Sequence, residues 1–288
     1  MAIKYSDVAD LRVWDTTSAT EPVELASYAH PTGTSSDGIA LAKGHVYLGL
    51  FHDLVVFDAT CLYPQTCSAE GQCMVECMPS CQGLACGDDG CGGSCGECCE
   101  GGVTELTELY VTHSVSVAAA GSHLYVAASA AGIESFDISK PGSPESSASL
   151  DVGGSVAAVA AGPDGYLVAG MTSGGIHVID VSDPSAPAVV GSLDGGNTRD
   201  VAVEGDVAVA GTDEGYAQFV SLADPTAPTL LSTHEMSSPI WGVDVVGGLA
   251  YIATFSAIDV VNVATGATLW TVTHDAGANF KVQVSGDR

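Results

Sequence analysis

Short hydrophobic runs that end in a turn signal recur along the chain. The clearest is run 176–180, Ile-His-Val-Ile-Asp, which is followed by Val-Ser-Asp-Pro. An aspartate side chain in such a place can accept a hydrogen bond from the backbone two residues on, and the proline presets φ for a turn. The pattern predicts a strand before each of the anchor residues, which are Asp15, Asp58, Asp137, Asp180, Ser221 and Asn262.

The spacing of the anchors is nearly constant. It is about 42 residues, a period typical of four-stranded propeller blades, except between Asp58 and Asp137, where it is about twice as long. Runs of small residues recur in phase, at 38–42, 115–119, 156–160, 201–205, 243–247 and 282–286. Small side chains suit the crowded innermost strand around a propeller axis. Each repeat therefore predicts an inner, a second, an anchor and an outer strand, and no amphipathic helix is predicted.

The repeats predict an all-β fold, a β-propeller of six four-stranded blades. The chain opens before an anchor strand and ends on an inner one, so we expect run 280–286 to complete the first blade beside residues 3–22. Such closure removes free sheet edges that would invite aggregation. The alternative is an open fragment of a longer repeat array.

Two runs carry a resemblance to a known family. Run 176–184 and run 219–228 resemble the signature of LVIVD-repeat proteins, which are bacterial and archaeal, propeller-like and commonly exported. The resemblance implies a fold and a cell-surface location more than an activity. Ser221 and Asn262 depart from the aspartate of that family, and the last repeat lacks its Asp-Pro turn.

The long interval contains a cysteine-rich insertion, 61–102, which divides the predicted propeller into 1–60 and 103–288. All ten cysteines of the chain lie in it: Cys61, Cys67, Cys73, Cys77, Cys81, Cys86, Cys91, Cys95, Cys98 and Cys99. A segment this short cannot bury a core, so five disulfide bridges are expected. The rival is zinc or an iron–sulfur cluster, but only Cys95 and Cys98 have a chelating spacing, and the segment has no histidine.

The insertion also bears on location. Its Cys-Gly-Asp-Asp-Gly-Cys-Gly-Gly-Ser-Cys-Gly run resembles short modules in predicted exported proteins of myxobacteria and their relatives. Disulfides persist in oxidising compartments, which favours an extracellular or cell-surface protein. Residues 1–7 have no apolar core of the kind a signal peptide needs, so the export signal is expected to lie outside this chain.

The charge balance limits the classes of partner. Lys and Arg number 7 against 35 Asp and Glu, a formal net charge of −28. That field repels nucleic acid and anionic lipid, and it suits cations, basic partners or simple solubility. No run reaches the length of a membrane span. We expect a monomer that needs no cofactor, although a structural divalent cation is compatible with the sequence.

Candidate ligand-binding residues fall on one face of the predicted propeller. The outer strands end in a repeated slot, occupied by His30, His113, Asp151, Asp194, His234 and His274. This slot is either a ring of metal- or proton-binding groups or, as we favour, a turn-capping position. The linkers that follow these strands run inward, and we expect them to line the channel mouth. The residues concerned are Asp37, Asn197, Arg199, Asp200, Trp241, Asp275 and Asn279.

These observations leave three classes of function. The favoured one is a non-enzymatic exported or cell-surface platform that binds a protein or glycan through the open-face loops. The alternative is a metal-dependent hydrolase or lyase at the channel mouth, with Asp37, Asp200 and Asp244 as the nearest carboxylates. It requires three carboxylates or imidazoles within about 5 Å of one point. The third is a purely structural module.

Overall fold

The structure is a computed structural model, which describes part of the chain. The backbone is described for residues 2–6, 10–15, 23–29, 36–43, 45–50, 52–58, 66–67, 73–74, 104–273 and 282. Side chains are described for residues 38–43, 45–50, 52–57, 105–273 and 282. Within these residues the secondary structure is β-strand, apart from one 3-10 turn at Ser129–Ala131.

The strands assemble into six main sheets that follow one another along the chain. Sheet 1 consists of β1 (Ala2–Ser6), β2 (Asp10–Asp15) and β3 (Val23–Ala29). Sheet 2 starts with β4 (Ser36–Ala42), β5 (His45–Leu50) and β6 (Asp53–Asp58). A two-stranded hairpin of β7 (Thr66–Cys67) and β8 (Cys73–Met74) follows in the chain, and β9 (Thr104–Tyr110) then completes sheet 2.

The remaining four sheets are consecutive four-stranded units. Sheet 3 consists of β10 (Ser116–Ala120), β11 (His123–Ala127), β12 (Ile133–Asp137) and β13 (Glu145–Leu150). Sheet 4 consists of β14 (Val156–Ala161), β15 (Tyr166–Met171), β16 (Ile176–Asp180) and β17 (Ala188–Leu193). Sheet 5 consists of β18 (Thr198–Glu204), β19 (Val207–Thr212), β20 (Tyr216–Ser221) and β21 (Thr229–Glu235). Sheet 6 consists of β22 (Ile240–Val246), β23 (Leu249–Thr254), β24 (Ala257–Asn262) and β25 (Thr268–Thr273).

The predicted all-β repeat architecture is confirmed for the described residues. Sheets 2 to 6 are antiparallel and keep the predicted order of inner, second, anchor and outer strand. The inner strands β4, β10, β14, β18 and β22 contact one another in that order, as the inner strands of a propeller do. The predicted closing run 280–286 lies outside the described residues apart from Val282, so closure into six blades remains a prediction.

The anchor residues make the predicted turn bonds. Asp137 Oδ1 accepts a hydrogen bond from the Ser139 backbone N–H at 2.7 Å, and Asp180 Oδ1 accepts one from Ser182 at 2.9 Å. These bonds stabilise the charged form and lower the pKa of both carboxyl groups. Asn262, which the sequence marked as a departure, instead accepts from the Thr265 N–H three residues on, at 3.0 Å. The last described repeat therefore turns without an Asp-Pro pair.

The hydrophobic core is divided among the contacts between neighbouring sheets. One buried cluster joins sheets 2 and 3, and three more join sheets 3 and 4, 4 and 5, and 5 and 6. Second-strand glycines allow the close approach. A Cβ atom on Gly170 would lie 2.7 Å from Thr198 Cγ2, and one on Gly211 would lie 2.5 Å from Ile240 Cγ2. Sheets 4 and 5 are thus each fitted to the first residue of the next inner strand.

Candidate functional site

The inner strands share a bulge at their second residue. The register of β4, β14, β18 and β22 against the second strand shifts there, which leaves one residue per strand without a partner across the ladder. The bulged residues are Asp37, Ala157, Arg199 and Trp241, and Val115 holds the same place just before β10. A bulge bends the strand and redirects its side chain. The repeat therefore directs one variable residue from each of sheets 3 to 6, Val115, Ala157, Arg199 and Trp241, toward a common region.

A cavity of about 460 Å³ opens where these bulges meet, and we call it the mouth cavity. Its walls include four of the bulge-position residues, which are Val115, Ala157, Arg199 and Trp241. A second repeat position, in the turn that follows the second strand, contributes Ser129, Thr172 and Asp213. Val156, Thr198 and Asp200 complete the lining. The size is within the usual range for small-molecule and glycan sites.

Arg199 and Trp241 form the centre of the polar wall. The guanidinium carbon of Arg199 lies over the Trp241 ring, 3.9 Å from its centroid, which is a cation–π contact. Arg199 Nε also donates a hydrogen bond to Asp213 Oδ1, and the two side chains are 36% and 39% exposed. The ring and the carboxylate hold the guanidinium group from two sides while leaving it accessible. Arg199 is the one arginine whose side chain lies in the described part of the chain.

Asp200 lines the mouth cavity and also joins sheet 5 to sheet 6. Its side chain is buried, at 4% exposure, and Oδ2 accepts a hydrogen bond from the Val243 backbone N–H in the next inner strand at 3.0 Å. Ser116 Oγ occupies the same repeat position in β10 and accepts from the Val159 N–H at 3.2 Å. The shared geometry shows that this position joins adjacent sheets, so part of the hydrogen-bonding capacity of Asp200 is used inside the fold.

Asn197 lies beside the mouth cavity rather than in its wall. Its backbone N–H is 3.3 Å from Glu214 Oε2, and its carbonyl oxygen accepts from the Asp213 N–H at 2.9 Å. These bonds tie the link before β18 to the turn that carries Asp213. The other predicted mouth residues, Asp275 and Asn279, lie outside the described residues, as does the side chain of Asp37.

The predicted histidine slot does not correspond to one structural position. His234 lies within β21 opposite Ala217, whereas Asp151 and Asp194 follow the ends of β13 and β17, so the counterpart of the two aspartates is Glu235. His234 Nε2 is 2.9 Å from Asp259 Oδ2 of sheet 6, and both groups are largely buried. His113 is half-buried and its ring centroid lies 6.3 Å from that of His52. His30 and His274 lie outside the described residues.

The geometric requirement of the enzyme alternative is not met within the described side chains. They contain no group of three or more His, Cys, Asp or Glu residues placed to hold a metal ion. The described part of the chain also contains no helix that is both long and apolar enough to cross a membrane. The cysteine predictions fall almost entirely on residues that are not described. Only the backbones of Cys67 and Cys73 are, and these lie opposite each other in the β7–β8 hairpin.

Sequence reasoning missed the contribution of the turn between second and anchor strands. Ser129, Thr172 and Asp213 occupy the same place in sheets 3, 4 and 5, yet they share no residue type. A phased alignment of the repeats would have placed them together, because their spacings equal those of the anchor residues Asp137, Asp180 and Ser221. Asp213 itself begins an Asp-Glu-Gly run that lacks the twelve-residue ligand pattern of a calcium loop.

Comparison with known proteins adds the following findings. Residues 113–152 and 153–194 each match the LVIVD repeat, and these ranges coincide with sheets 3 and 4. Curated proteins gave no match. The crystal structure of the computationally designed Ika8 protein is similar over 99% of this chain and 75% of that chain, with a TM-score of 0.64 at 14% identity. At that identity the likeness concerns the fold alone. The chain is therefore a β-rich, propeller-like repeat protein that contains LVIVD repeats.

Proposed function

We propose that this protein is a non-enzymatic, exported or cell-surface β-propeller that binds a protein or glycan partner at the mouth cavity. The observation that carries the proposal is the choice of residues at the bulge position. Sheets 3 and 4 place Val115 and Ala157 there, whereas sheets 5 and 6 place Arg199 and Trp241. Arginine and tryptophan are the residue types most enriched among binding hot spots. Two adjacent sheets thus depart from small residues at the position that faces the cavity.

The closed six-bladed form is part of the same proposal. Among the described residues sheet 1 has three strands, whereas sheet 2 has four, and its first strand, β1, is the counterpart of a second strand. Run 280–286 would supply the missing inner strand by pairing with β1. Closure would bring Asp37 and the segment around Asp275 to the same face as Arg199, since Asp37 has the bulge position of sheet 2.

The insertion fits a platform because of where it leaves the fold. Residues 59–103 connect β6 to β9, from the end of an anchor strand to the start of an outer strand. Because neighbouring strands are antiparallel, that connection lies at the end of sheet 2 opposite its bulge. A disulfide-stapled module at 61–102 would leave the mouth cavity open and would act as a protease-resistant spacer or second contact. The cysteine content favours export.

The proposal is tested by selection for binding partners on the intact chain. The full-length protein is screened against a random peptide library and a glycan array, in parallel with Trp241→Ala and with Trp270→Ala. Trp270 is the matched control, because it is 56% exposed on the outer strand β25. We expect ligands that bind the wild type and the control but lose affinity for Trp241→Ala. Ligands that bind all three proteins equally would place the binding surface elsewhere and overturn the proposal.

A further inference from the structure

Arg199 places a guanidinium group in the wall of the mouth cavity. Arg199 uses Nε for Asp213, and its two Nη groups have no hydrogen-bond partner within the described residues. A guanidinium group offers five N–H donors in a rigid plane and accepts none. The Trp241 ring fixes that plane at 3.9 Å. The cavity therefore presents a fixed fork of donors to whatever enters it.

The acceptor side surrounds this fork. Thr198 Oγ1 donates its hydrogen to the Gly175 carbonyl at 2.9 Å, and Thr172 Oγ1 donates to the Ser155 carbonyl at 3.3 Å. Thr172 is exposed, so its hydroxyl oxygen presents lone pairs to a ligand, whereas Thr198 is only 1% exposed and its hydroxyl bond holds the wall in place. Asp213 adds a second carboxylate oxygen beyond the one bound to Arg199. An ionised carboxylate accepts only. Fixed donors and fixed acceptors thus stand side by side in one wall.

The combination of hydrogen-bond donors and acceptors in the cavity wall favours one chemical class of ligand. A cation would meet the Arg199 charge, and an anion would meet Asp213 within a chain of net charge −28. A hydroxyl group both donates and accepts, so an array of neutral hydroxyl groups satisfies both kinds of wall group at once. Trp241 adds an amphipathic aromatic surface, on which the C–H groups of a sugar ring pack without further polar demand.

We propose that the mouth cavity is a binding site for a neutral saccharide. The Nη groups of Arg199 donate to sugar hydroxyl oxygens, and Asp213 and Thr172 accept from sugar hydroxyl hydrogens. Trp241 contacts the ring carbons. The inference rests on the proposed function, since it names the ligand class of the same site.

Calorimetric titration of the full chain tests the inference. The probes are cellohexaose, mannohexaose and chitohexaose as neutral saccharides, trigalacturonic acid as an anion, and hexalysine as a cation. We expect at least one neutral saccharide to bind with a Kd that changes less than about twofold between about 0.1 M and about 1 M salt, where the Debye length falls from about 10 Å to about 3 Å. Trp241→Ala and Asp213→Asn should each weaken binding about tenfold or more, which corresponds to about 1.4 kcal/mol.

Controls separate loss of contacts from loss of fold. Trp270→Ala should bind as the wild type does, and Arg199→Lys keeps the charge but loses the planar fork, so it should also weaken saccharide binding. Thermal unfolding of each variant establishes that it is folded. Equal saccharide binding by Trp241→Ala, or no binding of any neutral saccharide, would overturn the inference.

Two further outcomes distinguish the inference from the platform proposal. Salt-sensitive binding of trigalacturonic acid or hexalysine that depends on Arg199 and Trp241 would overturn the neutral saccharide and keep the mouth cavity as the binding surface. If the library ligands bind Trp241→Ala as tightly as the wild type, and no saccharide binds, both the saccharide inference and the proposed binding platform at the mouth cavity would be overturned.

Discussion

Replacing Asp200 by alanine should destabilise the fold through the contact between sheets 5 and 6. The carboxylate is the acceptor for the Val243 N–H, and both residues are buried, at 4% and 3% exposure. Without Asp200 that N–H has no acceptor in a site closed to water, which costs about 1–3 kcal/mol. Removing a buried carboxylate also relieves part of its desolvation penalty. We therefore expect a loss of about 2 kcal/mol in the free energy of unfolding.

The repeat supplies a matched comparison for this variant. Ser116→Ala removes the equivalent acceptor for the Val159 N–H, but a neutral hydroxyl contributes less, so a loss of about 1 kcal/mol is expected. Asp200→Asn keeps an oxygen in place and should lose less than Asp200→Ala. The order of stability should be wild type, then Asp200→Asn and Ser116→Ala, with Asp200→Ala lowest.

Urea unfolding measures these differences. The transition is followed by tryptophan fluorescence and by far-UV circular dichroism, and coincident curves justify a two-state analysis. The reasoning is refuted if Asp200→Ala lies within about 0.5 kcal/mol of the wild type, the range of ordinary surface substitutions. It is also refuted if Asp200→Asn is as unstable as Asp200→Ala, because the lost hydrogen bond would then not be the cause.

Three other perturbations test separate parts of the structure. Gly170→Ala should lose about 1–3 kcal/mol in urea unfolding because its Cβ would overlap Thr198 Cγ2, whereas Trp270→Ala should change stability by no more than about 0.5 kcal/mol. The pKa of Asp180 is lowered in the folded state. The contribution of this carboxylate to stability is therefore present above the ordinary value of 3.8 and is lost as the pH falls through the folded-state pKa. Asp180→Asn should show a shallower acid dependence of unfolding than the wild type. Protein made in an oxidising compartment should have an intact mass ten hydrogens below the reduced value for its ten cysteines and should resist thiol alkylation; alkylation of all ten, or mass added by zinc or iron, would contradict the disulfide prediction.

The strand order was predictable because it depends on local rules. The alternation of apolar residues and the self-bonding turn at Asp137 and Asp180 act within a few residues of chain, and the structure reproduces both. The location of the insertion in the chain followed from the same period. These features do not depend on how neighbouring sheets meet.

The histidine slot was predicted one residue out of phase, because it was aligned on the ends of the outer strands and not on the anchor residues. Asp151 and Asp194 have the same spacing from Asp137 and Asp180 as Glu235 has from Ser221, and β21 extends to Glu235. Outer strands β13, β17 and β21 share the same bulge, so register does not separate them. His234 therefore occupies the place that Leu150 and Leu193 hold in sheets 3 and 4. Because successive residues of a strand point to opposite faces, this difference of one residue changes the direction of the side chain. The His234 side chain contacts Asp259 in the adjacent sheet.

The mouth residues were partly predictable. Arg199, Asp200 and Trp241 were predicted as polar or aromatic residues of inward-running linkers. They line the cavity, but they lie in the inner strands β18 and β22 and not in linkers, because each inner strand begins earlier than predicted. Their partner Asp213 lies in a different turn and becomes relevant only through the Arg199 contact, a relation across 14 residues that no local pattern encodes. The cation–π contact with Trp241 likewise requires that two sheets lie side by side.

The division of the core among separate sheet-to-sheet contacts has a consequence for how such a molecule can change. Each of the four described clusters draws its residues from two neighbouring sheets, so damage to one leaves the others intact. A duplicated or deleted repeat would add or remove a contact of the same kind without rebuilding the rest. Size can therefore vary by whole units, while the bulge residue of each unit remains free to take on a new side chain.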